Sequence, residues 1–63
     1  MSDIKVENHG SIFLFQPLTD SARNWIEEHV GEDAQFWSGA LVCEPRYASD
    51  LADGMMSDGL VVE

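Results

Sequence analysis

Polar and apolar residues alternate over residues 3–7, from Asp3 through Ile4, Lys5 and Val6 to Glu7. That period predicts a strand with one wet face. Asn8, His9 and Gly10 follow, residue types that tolerate positive φ, and predict a hairpin turn. Residues 11–16, SIFLFQ, are the partner strand, with Ile12 and Leu14 on one face and Phe13 and Phe15 on the other. Because both faces are apolar, this strand belongs inside the sheet or is covered on its second face. Pro17 has no N–H for a ladder and is expected to end it.

The period then changes to that of a helix. Thr19 is a suitable N-cap, and Asp20 in the first turn suits the helix dipole. The helix is expected to run to about Val30, with Gly31 as its C′ residue. On a wheel of about 100° per residue, Ala22, Trp25, Ile26, His29 and Val30 share one arc, with Asp20, Ser21, Asn24, Glu27 and Glu28 opposite. Arg23 stands i,i+4 to Glu27, a spacing that predicts one local charge pair. Gln35, Phe36 and Trp37 form either a short strand or a loop whose aromatics close one end of the core. Packing in or at the edge of that core is the expectation for both aromatics. Gly39 marks a bulge or a bend. Residues 40–43, ALVC, are a continuous apolar run and predict a central strand.

Residues 44–59, EPRYASDLADGMMSDG, give a second amphipathic helix. Pro45 is accepted in its first turn and Gly59 stops it. Tyr47, Ala48, Leu51, Ala52, Met55 and Met56 fill about half of its wheel, and Ser49, Asp50, Asp53, Gly54 and Ser57 most of the rest. Leu60, Val61 and Val62 make a last short strand. The order β-β-α-β-α-β predicts a two-layer α+β domain with about four strands in one sheet and two amphipathic helices on one face. Right-handed crossovers put both helices on the same side if the strands flanking each helix run parallel. The strand order does not follow from the pattern.

Length and composition narrow this further. A chain of 63 residues makes one domain, residues 1–63. It buries only about 60% of its unfolded surface. Its residues are 44% hydrophobic, with two Trp, three Phe and one Tyr, which supplies one compact core. A single cysteine, Cys43, forms no internal disulfide and packs in an apolar strand as an inert thiol, which points to a reducing, cytoplasmic setting. The polar start MSDIKVE predicts no signal peptide, and apolar runs of four residues predict no membrane span.

No catalytic, cofactor or metal site is predicted. His29, Glu32 and Asp33 are close in sequence, but His29 lies in the apolar arc, where a hydrogen-bonded core histidine is the commoner explanation. Asp50, Asp53 and Gly54, and Asp58 with Gly59, lack the alternating carboxylates of a calcium loop. Cys43 paired with a histidine is the one conceivable nucleophile, and a buried strand thiol is a poor one. The carboxylates have no predicted pocket to perturb them, and there is no Gly-rich phosphate loop. The chain is therefore expected to be no enzyme.

Charge carries the functional signal. Twelve Asp and Glu against three Lys and Arg leave a net charge of −9. Solubility accounts for a magnitude of about 2–8 in a small domain, so a charge of −9 lies just beyond that range and the surplus is no more than suggestive. Such a chain is repelled by nucleic acid and anionic membranes and attracted by basic surfaces. An interfacial membrane helix has a basic polar face, whereas these are acidic. Carboxylates three or four residues apart on a helix lie about 5–6 Å apart, similar to successive phosphates along a DNA strand. Asp20, Glu27, Glu28, Glu32 and Asp33 on or after the first helix, and Asp50, Asp53 and Asp58 on or after the second, are the candidate protein-binding residues. They form one surface only if the helices lie side by side.

The segments GSIFLFQPLTDSARNWIEEHV and GALVCEPRYASDLADGMMSDGLVVE, together nearly the whole chain, resemble a family of small acidic anti-CRISPR proteins of phages and mobile elements that act on type I-C systems. No motif residue comes with the resemblance. It implies a compact α+β monomer in the host bacterial cytoplasm that binds the CRISPR surveillance complex (Cascade), or another basic DNA-binding protein, and blocks target DNA by acidic mimicry. The alternative is a protein–protein interaction module of a mobile element whose contact surface is aromatic, with Phe36 and Trp37 as anchors. Exposure of Phe13, Phe15 or Trp37 would favour a dimer.

Overall fold

The computed structural model describes residues 1–30 and 34–63. Four strands form one antiparallel sheet: β1 (Ile4–Asn8), β2 (Phe13–Pro17), β3 (Gln35–Trp37) and β4 (Ala40–Cys43), in the spatial order β1-β2-β4-β3. Two helices, α1 (Asp20–His29) and α2 (Pro45–Ser57), complete the α+β domain. β2 and β4, the two strands with apolar residues on both faces, are the interior ones. Residues 60–63 run beside the free edge of β1 through a parallel bridge between Ile4 and Val62. The Val6 N–H donates to the Glu63 carbonyl at 2.6 Å and the Glu63 N–H to the Ile4 carbonyl at 2.9 Å.

Register sets the two faces. Val6 lies opposite Phe15, and Phe15 opposite Leu41. Ile4, Val6, Phe13, Phe15, Leu41 and Cys43 therefore share one face. Against it pack Ala22 and Ile26 of α1 and Ala48 and Met55 of α2, in a single cluster. Both helices thus cover the same face, and the opposite face carries Lys5, Glu7, Leu14, Gln16, Ala40, Val42 and Trp37. Pro17, expected to end its strand, is the last residue of β2. It sits opposite Ile4, and the next N–H, that of Leu18, donates to the Asp3 carbonyl at 2.7 Å.

Local chemistry places the ends of each element. Thr19 caps α1, its hydroxyl accepting from the Ala22 N–H at 3.2 Å. Pro45 opens α2. Gly59 at φ +90° closes it: the Gly59 N–H donates to the Met56 carbonyl and the Leu60 N–H to that of Met55, both at 3.0 Å, which is a Schellman motif. Gly39 is neither a bulge nor a simple bend. With Ser38 (φ 52°) it forms the two-residue turn joining Trp37 to Ala40, and φ of 84° at Gly39 completes the primed geometry. Gly31, the expected C′ residue of α1, lies outside the described residues.

Several side chains depart from the expected pattern. Tyr47 and Met56, placed on the apolar arc of α2, are exposed, because that helix buries only Ala48 and Met55 fully. His29 is exposed as well and not a core histidine. Phe36 and Trp37 are 53% and 58% exposed, not packed in the core, because β3 is a three-residue strand at the edge of the sheet. Phe13 and Cys43 are half-buried against the core. Burial and the neighbouring Glu44 raise the pKa of the Cys43 thiol, which keeps it protonated.

Asp3 ties three parts of the chain together. Its carboxylate accepts from the Val61 N–H and the Thr19 hydroxyl, each at 2.9 Å. These two bonds hold its pKa below the ordinary carboxylate value. The resulting stability is complete above the unfolded pKa of about 3.9 and is lost as pH falls through the lowered folded value. Asp3→Asn should lower the melting temperature at neutral pH, and the gap to the parent should shrink in acid below about pH 3.9. Thermal melts followed by circular dichroism across that range test this; a gap that stays constant would show that the charge on Asp3 is irrelevant.

Candidate functional site

The helical layer carries the acidic candidates. Asp20, Glu27 and Glu28 are exposed on α1, Asp50 and Asp53 on α2, and Asp58 is the C-cap of α2. Glu32 and Asp33 lie outside the described residues. Across the two helices and their caps, seven carboxylates face two guanidiniums.

The helices lie side by side, joined through aromatic and polar contacts. Gly54 of α2 faces Trp25 so closely that a Cβ there would stand 3.5 Å from the indole. The Trp25 Nε1–H donates to Asp58 Oδ2 at 2.5 Å. The His29 ring stacks on Trp25, with centroids 4.0 Å apart and planes 11° apart. Its Nδ1–H donates to the Trp25 carbonyl at 2.8 Å, since a carbonyl only accepts. That leaves Nε2 facing Asp58 at 3.6 Å. Asp58 is thus largely a structural group that holds the α2 terminus to α1. Sequence reasoning missed this; the one available signal was the position of Trp25 and His29 at the border of the α1 apolar arc.

The remaining carboxylates fall on different flanks. Asp50 lines the groove between the helices together with Trp25, His29 and Tyr47. Glu28 lies on the Trp25 side of the α1 wheel, whereas Asp20 and Glu27 lie on the Arg23 side. Asp53, unlike Asp50, does not line that groove. The layer is therefore acidic throughout but is not a single row.

The expected Arg23–Glu27 pair does not form. Arg23 Nη1 reaches back to Asp20 at 3.1 Å, and the second arginine, Arg46, pairs with Glu44 at 3.1 Å. Among the described residues, Glu27, Glu28, Asp50 and Asp53 have no hydrogen-bonded or ionic side-chain partner.

The aromatic candidates are split between the two faces of the sheet. Phe36, opposite Leu41, is on the helix side and lines a cleft with Pro17, Ile26 and Glu27. Trp37, opposite Ala40, is on the open face, where its ring meets His9 edge-on at 6.2 Å and Leu14 lies nearby, 6% exposed. The two do not form one contact patch. Among the described residues no three His, Cys, Asp or Glu side chains gather as a metal site, and no helix is long and apolar enough to cross a membrane.

Compared with protein-family models, curated proteins and solved structures, the chain matches none.

The helix–helix junction makes a stability prediction. An added methyl at Gly54 would meet Trp25 at ordinary van der Waals distance. Removing a mid-helix glycine also gains about 0.5–1 kcal/mol. Gly54→Ala should therefore raise the melting temperature by a few degrees, roughly 4–8 °C per kcal/mol in a domain of this size. A lower melting temperature would mean that the indole cannot accommodate the methyl.

Proposed function

We propose that this chain is an anti-CRISPR inhibitor. Acting in the bacterial cytoplasm, it binds the CRISPR surveillance complex and blocks target DNA by presenting its helical layer in place of the phosphate backbone. The observation that carries this reading is the set of four exposed carboxylates, Glu27, Glu28, Asp50 and Asp53, that no described side chain neutralises. A free carboxylate on a rigid helix attracts a basic DNA-binding groove at long range and competes with phosphate for the same Lys and Arg. The choice of partner follows the sequence resemblance; the acidic layer is what the geometry supplies.

A second reading keeps the protein a binding module but moves the contact to Trp37. Its exposure on an open sheet face supports that reading, since aromatic anchors are enriched at interface hot spots. Phe36, on the other face, belongs to a separate surface.

The two readings part on charge. Under mimicry, affinity for the surveillance complex should fall by about tenfold or more from low to high salt. Asp50→Lys with Asp53→Lys, and separately Glu27→Lys with Glu28→Lys, should relieve inhibition of target-DNA binding while the circular dichroism spectrum stays unchanged. Affinity that is indifferent to salt, or inhibition that survives both double reversals, would rule mimicry out. Loss of binding on Trp37→Ala alone would select the aromatic reading.

A further inference from the structure

Resting on the acidic-mimic reading, the geometry points to a specific subsite on the outer flank of α1: the cleft between α1 and β3 binds the side chain of an arginine from the basic partner. The cleft has a volume of about 140 Å³, well below the roughly 300–1,000 Å³ of small-molecule pockets, so it suits one side chain and not a cofactor. Its walls are Pro17, Ile26 and the half-exposed ring of Phe36, with Gly39 at the turn. Glu27 and Arg23 stand at its rim. Arg23 is already engaged by Asp20 at 3.1 Å, which draws its guanidinium to the preceding turn and leaves the Glu27 carboxylate without a cation.

An uncommitted carboxylate beside an aromatic ring and an apolar wall matches the two halves of an arginine. The aliphatic stem covers apolar surface. The planar guanidinium stacks on a ring and offers a two-pronged donor to a carboxylate, a combination lysine lacks. The position matters because Phe36 is on an edge strand and Glu27 on a helix, so the subsite is built from rigid elements. It also gives the exposure of Phe36 a use that the acidic layer alone does not.

The test uses the whole chain and two probes, a short oligoarginine peptide and an oligolysine of equal length, titrated in an amide NMR experiment. Oligoarginine should bind several-fold tighter, with the largest shifts at Glu27, Phe36 and Gly39. Phe36→Leu should weaken oligoarginine several-fold and leave oligolysine nearly unchanged, whereas Glu27→Gln should weaken both peptides and oligoarginine the more. Phe36→Leu keeps the apolar wall and removes only the ring, and both positions are exposed, so the fold is expected to persist. Equal affinity for the two peptides, or variants that bind oligoarginine like the parent, would overturn the subsite. Either result leaves the acidic-layer reading intact if binding still falls with salt. Loss of that salt dependence with the surveillance complex would overturn the mimic reading instead.

Discussion

The structure depends on one constraint: a chain this short has helices for only one face of its sheet. Ile4, Phe15 and Leu41 supply the apolar floor, and α1 and α2 close over it with Ala22, Ile26, Ala48 and Met55. Two of those four helix contacts are alanines, whose small size lets the helix backbones approach the strands. Burying a side chain such as Phe15, Ile26 or Met55 is worth about 1.5–3 kcal/mol each, so these few residues carry much of a small margin. Once they are committed inward, every charged residue of both helices must look outward. The acidic layer is therefore a by-product of the fold in its location, though not in its density.

Within that layer the carboxylates do different work. Asp3 organises the N-cap of α1 and the C-terminal segment at once, and Asp58 anchors Trp25 across the helix junction. Asp20 and Glu44 each hold an arginine of their own segment. Asp3 and Asp58 each accept a hydrogen bond from a segment distant in sequence, whereas the exposed ion pairs of Asp20 and Glu44 with arginines close by in sequence contribute about 0–1 kcal/mol. Internal bonding thus accounts for Asp3 and Asp58 and only weakly for Asp20 and Glu44. It does not account at all for Glu27, Glu28, Asp50 and Asp53.

The elements whose local chemistry was unambiguous could be read from the sequence. The alternation at Asp3–Glu7, the Thr19 cap, the two-faced apolar strand, Pro45 and Gly59 all stand where their residue types imply. What could not be read depended on neighbours distant in sequence. The Trp25–Asp58 bond spans 33 positions, and no helical wheel of α1 alone reveals it. The pairing of Arg23 was misjudged because i,i+3 and i,i+4 partners compete almost equally on a helix. Phe36 and Trp37 look like core residues by type; only the place of β3 at the sheet edge, a matter of topology, exposes them. Of the candidate site, its residues were legible and its geometry was not, since the flank on which each carboxylate falls depends on how the helices pack.

The splayed arrangement bears on how such a surface could bind. Exposed charges distributed over a layer chiefly raise the rate of encounter, and each contributes little to the lifetime of a complex. A long-lived complex needs an anchor that is desolvated on binding, usually an aromatic or an arginine in a fitted pocket. Spreading the four uncommitted carboxylates around the helices therefore suits steering better than clamping. The clamping has to come from somewhere with apolar surface, and on the helical layer exposed ring and uncommitted carboxylate meet at two places, the edge with Phe36 and Glu27 and the groove with Tyr47 and Asp50. The same logic separates the open face: Trp37 is an anchor that shares its pocket with one carboxylate, Glu7, and lies on the side of the sheet away from the acidic helices. A basic partner drawn by the field of the helices would thus reach the Phe36 edge before the Trp37 face.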